Sequence, residues 1–101
     1  MAKPEAAIEN YLREQVEHFG GLCEKLPAPP VGRPDRLITW PVIGMELVET
    51  KAPNGEVSPM QERDHKRRRA RNVTVYVIWT KPQVDEYICD AMQRIAAAEL
   101  Y

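Results

Sequence analysis

The sequence predicts an α/β domain whose elements follow the order α-β-β-β-α-β-α. Three observations carry that expectation. Apolar residues recur with helical period near both ends of the chain, and two capping boxes open helices in its second half. Residues 73–79 (VTVYVIW) form an almost unbroken β-branched and aromatic run.

Pro4 suits a first helical turn, and Ile8, Tyr11, Leu12, Val16 and Phe19 follow at a spacing near 3.6, which predicts a helix over 4–19. Gly20 and Gly21 supply its C-terminal stop. LCEKL (22–26) is a short strand candidate. Pro27-Ala28-Pro29-Pro30 breaks regular structure and is expected to form a surface loop. A second strand is expected from about Arg36 to Trp40, ended by Pro41. A third covers about 44–51 (GMELVETK), closed by the turn Pro53-Asn54-Gly55. Ser58 with Gln61 three residues later, and Pro59 between them, begins a second helix expected to end near Asn72. The 73–79 run is apolar on both faces, which predicts a central strand. Thr80 with Gln83 caps a last helix, whose stripe is Val84, Tyr87, Ile88, Ala91, Ile95 and Ala98. No internal repeat is visible, and one domain over 1–101 is expected.

Composition narrows the function. The chain has 101 residues, 44% hydrophobic and 29% charged, which excludes a wholly disordered or fibrous protein. Its length fits one domain without a separate cofactor domain, and no nucleotide cofactor is expected. Two cysteines without a CxxC and only two histidines exclude a structural zinc site. Cys23 and Cys89 are expected to be buried apolar residues. No apolar run approaches a membrane span and the N-terminus lacks a secretion signal, so a cytoplasmic location is expected.

A formal charge of −1 seems unsuited to a polyanionic partner until the charges are mapped. Residues 61–71 (QERDHKRRRAR) hold Arg63, Lys66, Arg67, Arg68, Arg69 and Arg71 against two acids, a local +4 that leaves −5 for the rest. Such a face attracts phosphate, although a solvated basic helix has the same composition. His65 within it is in place to touch phosphate, but is expected to be an exposed histidine without a role.

Two segments carry chemistry. GRPDRLI sets Asp35 at the start of the second strand, and ELVETK sets Glu49 and Lys51 at i and i+2 on one face of the third. With those strands as antiparallel neighbours, two carboxylates and an ammonium converge. Carboxylate oxygens suit Mg²⁺ or Mn²⁺, which lower the pKa of a bound water, and a nearby lysine can orient that water or stabilise negative charge. A solvated Glu–Lys pair would also give ExK. Against that, Met45, Leu47, Glu49 and Lys51 share one face, so the carboxylate continues an apolar stripe.

GRPDRLI, a spacer placing Glu49 14 positions after Asp35, ELVETK and then SPMQ together resemble the VRR-NUC (virus-type replication-repair nuclease) family. That family belongs to the PD-(D/E)xK superfamily, and the resemblance runs from Glu5 to about Trp79. It implies a restriction-endonuclease-like core, a mixed sheet flanked by helices, and Mg²⁺- or Mn²⁺-dependent hydrolysis of DNA phosphodiesters. By that resemblance Asp35 and Glu49 are metal ligands, with the Thr50 carbonyl a further one, and Lys51 is the catalytic lysine. Gln61 matches the glutamine beside that lysine, a role that competes with its capping box and is favoured over it. The first-helix acid of the family fits Glu5 best, with Glu9 one turn on. Where family members often have glycine before the last core strand, this chain has Arg71-Asn72, which leaves the turn geometry open. Lys25 and Arg36 flank the site and are candidate DNA phosphate contacts, together with Lys66, Arg67, Arg68, Arg69 and Arg71. Small stand-alone members look like junction-resolving homodimers, so branched or Holliday-junction DNA cut by a homodimer in a phage-type setting is expected. A flap- or end-directed nuclease needing a partner protein, or a non-catalytic DNA-binding module, are the alternatives.

Overall fold

A computed structural model describes residues 4–27 and 32–100. Its elements are α1 (Pro4–His18), β1 (Leu22–Lys25), β2 (Arg36–Trp40), β3 (Gly44–Thr50), α2 (Pro59–Arg69), β4 (Val75–Ile78) and α3 (Lys81–Glu99). The strands form one mixed sheet in the order β1-β2-β3-β4, with β1, β2 and β3 antiparallel and β4 parallel to β3. A three-residue connection joins β2 to β3. The parallel β3–β4 pair needs a crossover, and α2 provides it. Most of the proline-rich segment, expected to be a loop, lies outside the described residues.

Glycine is required where α1 gives way to β1. Gly20 takes φ 93°, and a Cβ on Gly21 would lie 2.8 Å from both the Trp40 ring and Val16. The helix can therefore close directly onto the sheet. Both expected capping boxes form: Ser58 accepts from the Gln61 amide and Thr80 from the Gln83 amide, with each glutamine returning a bond to its cap.

One face of the sheet carries the core. Ile8, Leu12 and Val16 of α1 and Val84, Tyr87, Ile88 and Ala91 of α3 pack on Ile38, Trp40, Val48 and Ile78. From Glu46 on, β3 is buried on both faces: Leu47 and Glu49 of the stripe read in the sequence are buried, and so is the opposite face. The side chains of Glu46, Val48 and Thr50 point to this core, while Met45 on the other face is 69% exposed. Glu46 can be buried because every direction around it is a donor. Trp40 Nε1 donates to it at 3.0 Å, the Tyr87 hydroxyl donates in a short bond, and Arg94 forks onto both its oxygens at 2.9 and 3.0 Å. A strand glutamate therefore occupies a core position that hydrophobicity alone gives to its neighbours.

Three expectations change. The 73–79 run is an edge strand: among the described residues β4 pairs with β3 alone. It is apolar on both faces because α3 packs on one and α2 lies against the other, not because strands flank it. Its outer edge is partly occupied, since Arg69 donates to the Val75 carbonyl at 2.6 Å and the Trp79 amide donates to Gln83 at 2.7 Å. The second helix stops at Arg69, and Asn72, with φ 64°, makes the left-handed turn for which glycine is the usual residue. Of the cysteines, Cys23 is half-buried, its thiol pushed up to about 11 by burial, and Cys89 is exposed. No helix among the described residues is long and apolar enough to cross a membrane.

Candidate active site

The β2–β3 ladder ends at the pair Arg36↔Val48, and the same register carries Asp35 opposite Glu49, with Thr50 one residue further along β3. No strand partner remains for the Thr50 amide, and the Asp35 carboxylate takes that place. Oδ1 accepts the Thr50 N–H at 3.1 Å and Oδ2 accepts the Thr50 hydroxyl at 2.9 Å. An extended residue points its N–H and C=O to the same side, so the Thr50 carbonyl also faces the Asp35 side. From α1, Glu9 approaches this corner, with Oε1 3.4 Å from the same hydroxyl and Oε2 2.8 Å from the Arg36 guanidinium. Glu5 and Glu9 stand one turn apart, and each offers a carboxylate oxygen. These two oxygens and one from Asp35 all lie within 4.8 Å of one another. α1 thus brings both Glu5 and Glu9 to the Asp35 corner.

Glu49 points to the other face of β3, where α2 covers it, and is 5% exposed. Burial pushes its carboxyl up to about 7. The nearby charges of Asp35 and Glu5 push the same way, while Lys51 and Arg36 oppose them. Lys51, half-buried just past β3, is thus electrostatically coupled to Glu49, as the i, i+2 spacing predicts.

Gln61 keeps its capping box, against the preference drawn from the resemblance, and its other end reaches Glu49. Its Oε1 accepts the Ser58 N–H at 2.9 Å, while its Nε2 donates to Glu49 Oε1 at 3.4 Å. A carboxamide has an acceptor at one end and donors at the other, so the capping box orients the amide that reaches the carboxylate.

The basic helix differs from its expected form. Gln61, Asp64, His65 and Arg68 are the positions of α2 turned toward the sheet, at the i, i+3, i+4, i+7 spacing of a core stripe, yet all are polar. His65 is 2% exposed rather than solvated. Burial, then the charge of Arg69, lowers its pKa, which keeps the ring neutral near pH 7. Asp64 is also buried. Burial alone would raise its pKa, but bonds from Arg68 (2.7 Å) and Arg67 (3.1 Å) hold it below the usual carboxylate range.

Part of the +4 is therefore spent inside the helix. Lys66, Arg67, Arg69 and Arg71 remain exposed, with Arg69 and Arg71 also bonding the Val75 and Arg67 carbonyls, and Arg68 is half-buried. Lys25 is exposed at the end of β1, opposite Arg36. Arg36 itself is instead 7% exposed and paired with Glu9, because it shares the inward face of β2 with Ile38 and Trp40.

Three carboxylates (Glu5, Glu9, Asp35) thus converge, with Arg36 paired to Glu9 and close to Asp35, while Glu49, outside that group, feels the charges of Asp35, Glu5, Lys51 and Arg36. The donor set is oxygen only and carries excess negative charge. That chemistry fits a hard divalent cation.

A family model for the VRR-NUC domain matches residues 2–82. A phage protein named "Putative nuclease p44", from Acyrthosiphon pisum secondary endosymbiont phage 1, is 39% identical over 64 residues, covering 62% of this chain and 69% of the relative. A solved VRR-NUC domain superposes with a TM-score of 0.78 at 37% identity, over 86% of this chain and 96% of that one. The mixed four-stranded sheet flanked by helices agrees with these matches, and the chain belongs to the VRR-NUC domain family.

Proposed function

We propose that this member of a nuclease family is a Mg²⁺- or Mn²⁺-dependent endonuclease that hydrolyses phosphodiesters of branched DNA, Holliday junctions among them, as a homodimer. The observation that carries the reading is the convergence of Glu5, Glu9 and Asp35 within 4.8 Å, in a site whose charges also reach the buried Glu49. Asp35, Glu49, the Thr50 carbonyl and one or both α1 glutamates would hold the cation. A divalent ion there supplies Lewis-acid polarisation of a phosphate oxygen and eases deprotonation of a water.

The remaining work falls to the protein's own side chains. Lys51 orients the attacking water and stabilises charge on the phosphoryl oxygens. Gln61 fixes the orientation of the Glu49 carboxylate. Arg36 holds Glu9 in place rather than meeting the DNA. Lys66, Arg67, Arg69 and Arg71 line the exposed side of α2 and contact backbone phosphates, giving an affinity that falls with salt.

Dimerisation has a surface available. Phe19, Ile88, Cys89 and Met92 line an apolar groove of about 520 Å³ between α1 and α3, and a second copy would cover it.

The test is cleavage of a matched panel (four-way junction, flap, nicked duplex, intact duplex, single strand) with Mg²⁺, Mn²⁺ or EDTA. Junction cutting that requires either metal is expected. Cutting confined to flaps or ends would favour a partner-dependent nuclease, and binding without any metal-dependent cutting would leave a DNA-binding module.

A further inference from the structure

The buried imidazole of His65 has no part in the chemistry above, and its position is unusual. Its side chain is 3% exposed, and Nε2 has no hydrogen-bond partner among the described residues. Glu49 Oε1 lies 4.0 Å from it. Gln61, one helical turn earlier on the same face of α2, approaches that same oxygen at 3.4 Å. A buried polar atom left unbonded is costly, so a methyl or methylene group would fill the space more favourably if packing were the whole purpose. A neutral imidazole presenting Nε2–H needs a shift of about 1 Å to reach hydrogen-bonding distance of Oε1. Hydrogen bonds at functional sites are often long without the ligand and tighten with it.

We propose that His65 is a positioning residue for Glu49: with a divalent cation in the acidic cluster, Nε2–H donates to Oε1. The i, i+4 pair Gln61 and His65 then holds one carboxylate oxygen between them, leaving the other unconstrained by α2. The inference rests on reading the cluster as a cation site and extends it to residues that touch no ion. Outer partners of this kind fix ligand orientation, and losing one typically costs 10–100-fold in metal affinity.

The test is calorimetric titration of the full chain with Mn²⁺ in the absence of DNA, for the wild type, His65→Leu and His65→Gln, with melting temperatures recorded alongside. His65→Leu keeps the volume and removes the donor, and is expected to weaken Mn²⁺ binding about 10-fold or more. His65→Gln restores an amide donor and is expected to stay within about 3-fold of wild type. Wild-type affinity in a folded His65→Leu protein overturns the proposal. So does an equal loss in both variants at unchanged melting temperature.

The wild type gives a measurement independent of folding in the variants. In ¹⁵N-labelled protein, Mg²⁺ is expected to slow exchange of the His65 Nε2 proton and move it downfield, and an unchanged resonance overturns the proposal. Absence of Mn²⁺ binding by the wild type itself overturns the cation-site reading and this inference with it. Binding that is indifferent to His65 removes only the inference.

Discussion

Gln61 Nε2 stands 3.4 Å from Glu49 Oε1 while the other end of the same amide accepts the Ser58 N–H at 2.9 Å. Helix start and acidic site are therefore tied through one side chain. The two roles separate by substitution. Gln61→Glu retains an oxygen for the Ser58 amide and keeps a capping box, but places a second carboxylate against Glu49. Its cleavage rate is expected to fall about 10–100-fold while the melting temperature changes by a few degrees at most. Gln61→Ala loses both functions and is expected to lose about 1 kcal/mol of stability as well. Single-turnover cleavage and urea denaturation on the two variants check the split.

Glu49 makes the metal-free protein sensitive to pH in a defined direction. Its carboxyl titrates at about 7 in the fold against 4.5 ordinarily, so the fold binds this proton more tightly than the unfolded chain does. The contribution is complete below about 4.5 and is lost as pH rises through about 7. His65, whose pKa is lowered, works with the opposite sign, so the informative quantity is the difference between wild type and Glu49→Gln. Chemical denaturation in EDTA should show wild type losing about 1–3 kcal/mol relative to Glu49→Gln between pH 4.5 and 7.5. Saturating Mg²⁺ should reverse the loss at the upper end.

Far from this site, Glu46 anchors α3 to the sheet. Its carboxylate receives Trp40, Tyr87 and both arms of Arg94, and burial followed by the Glu46 contact raises the Tyr87 hydroxyl above its ordinary range. Removing one partner leaves buried charge uncompensated. Arg94→Ala is expected to cost about 3–5 kcal/mol in urea denaturation. Glu46→Gln, which keeps the shape, should cost less. Mn²⁺ affinity of any folded variant should be unchanged.

Much of the fold was legible because its signals are local. Both capping boxes and most of the α1 and α3 stripes lie where their spacing sets them, Phe19 and Ala98 at the stripe ends being exposed instead. What escaped depends on partners distant in sequence. The exposure of β4 at the sheet edge is decided by which strands exist to flank it, and an apolar run covered by helices on both faces reads the same as a central strand. Burial of the second face of β3 was hidden because Glu46 counts as polar until Trp40, Tyr87 and Arg94 surround it. His65 and Asp64 were hidden for a related reason: α2 has a helical stripe, but it is Gln-Asp-His-Arg, and hydrophobic periodicity does not register polar burial. Spacing counted from Gln61 would have found it, since 64, 65 and 68 fall on that residue's face.

The reading of this chain as a metal-dependent nuclease turns most directly on Lys51. Junction cleavage and junction binding should be measured side by side, in Mn²⁺, for wild type and Lys51→Ala. Cleavage is expected to fall at least about 100-fold with binding unchanged within about 3-fold, because the lysine acts on the reacting phosphate while the arginines of α2 hold the DNA. Wild-type cleavage by Lys51→Ala, or no metal-dependent cleavage by the wild type, would contradict it.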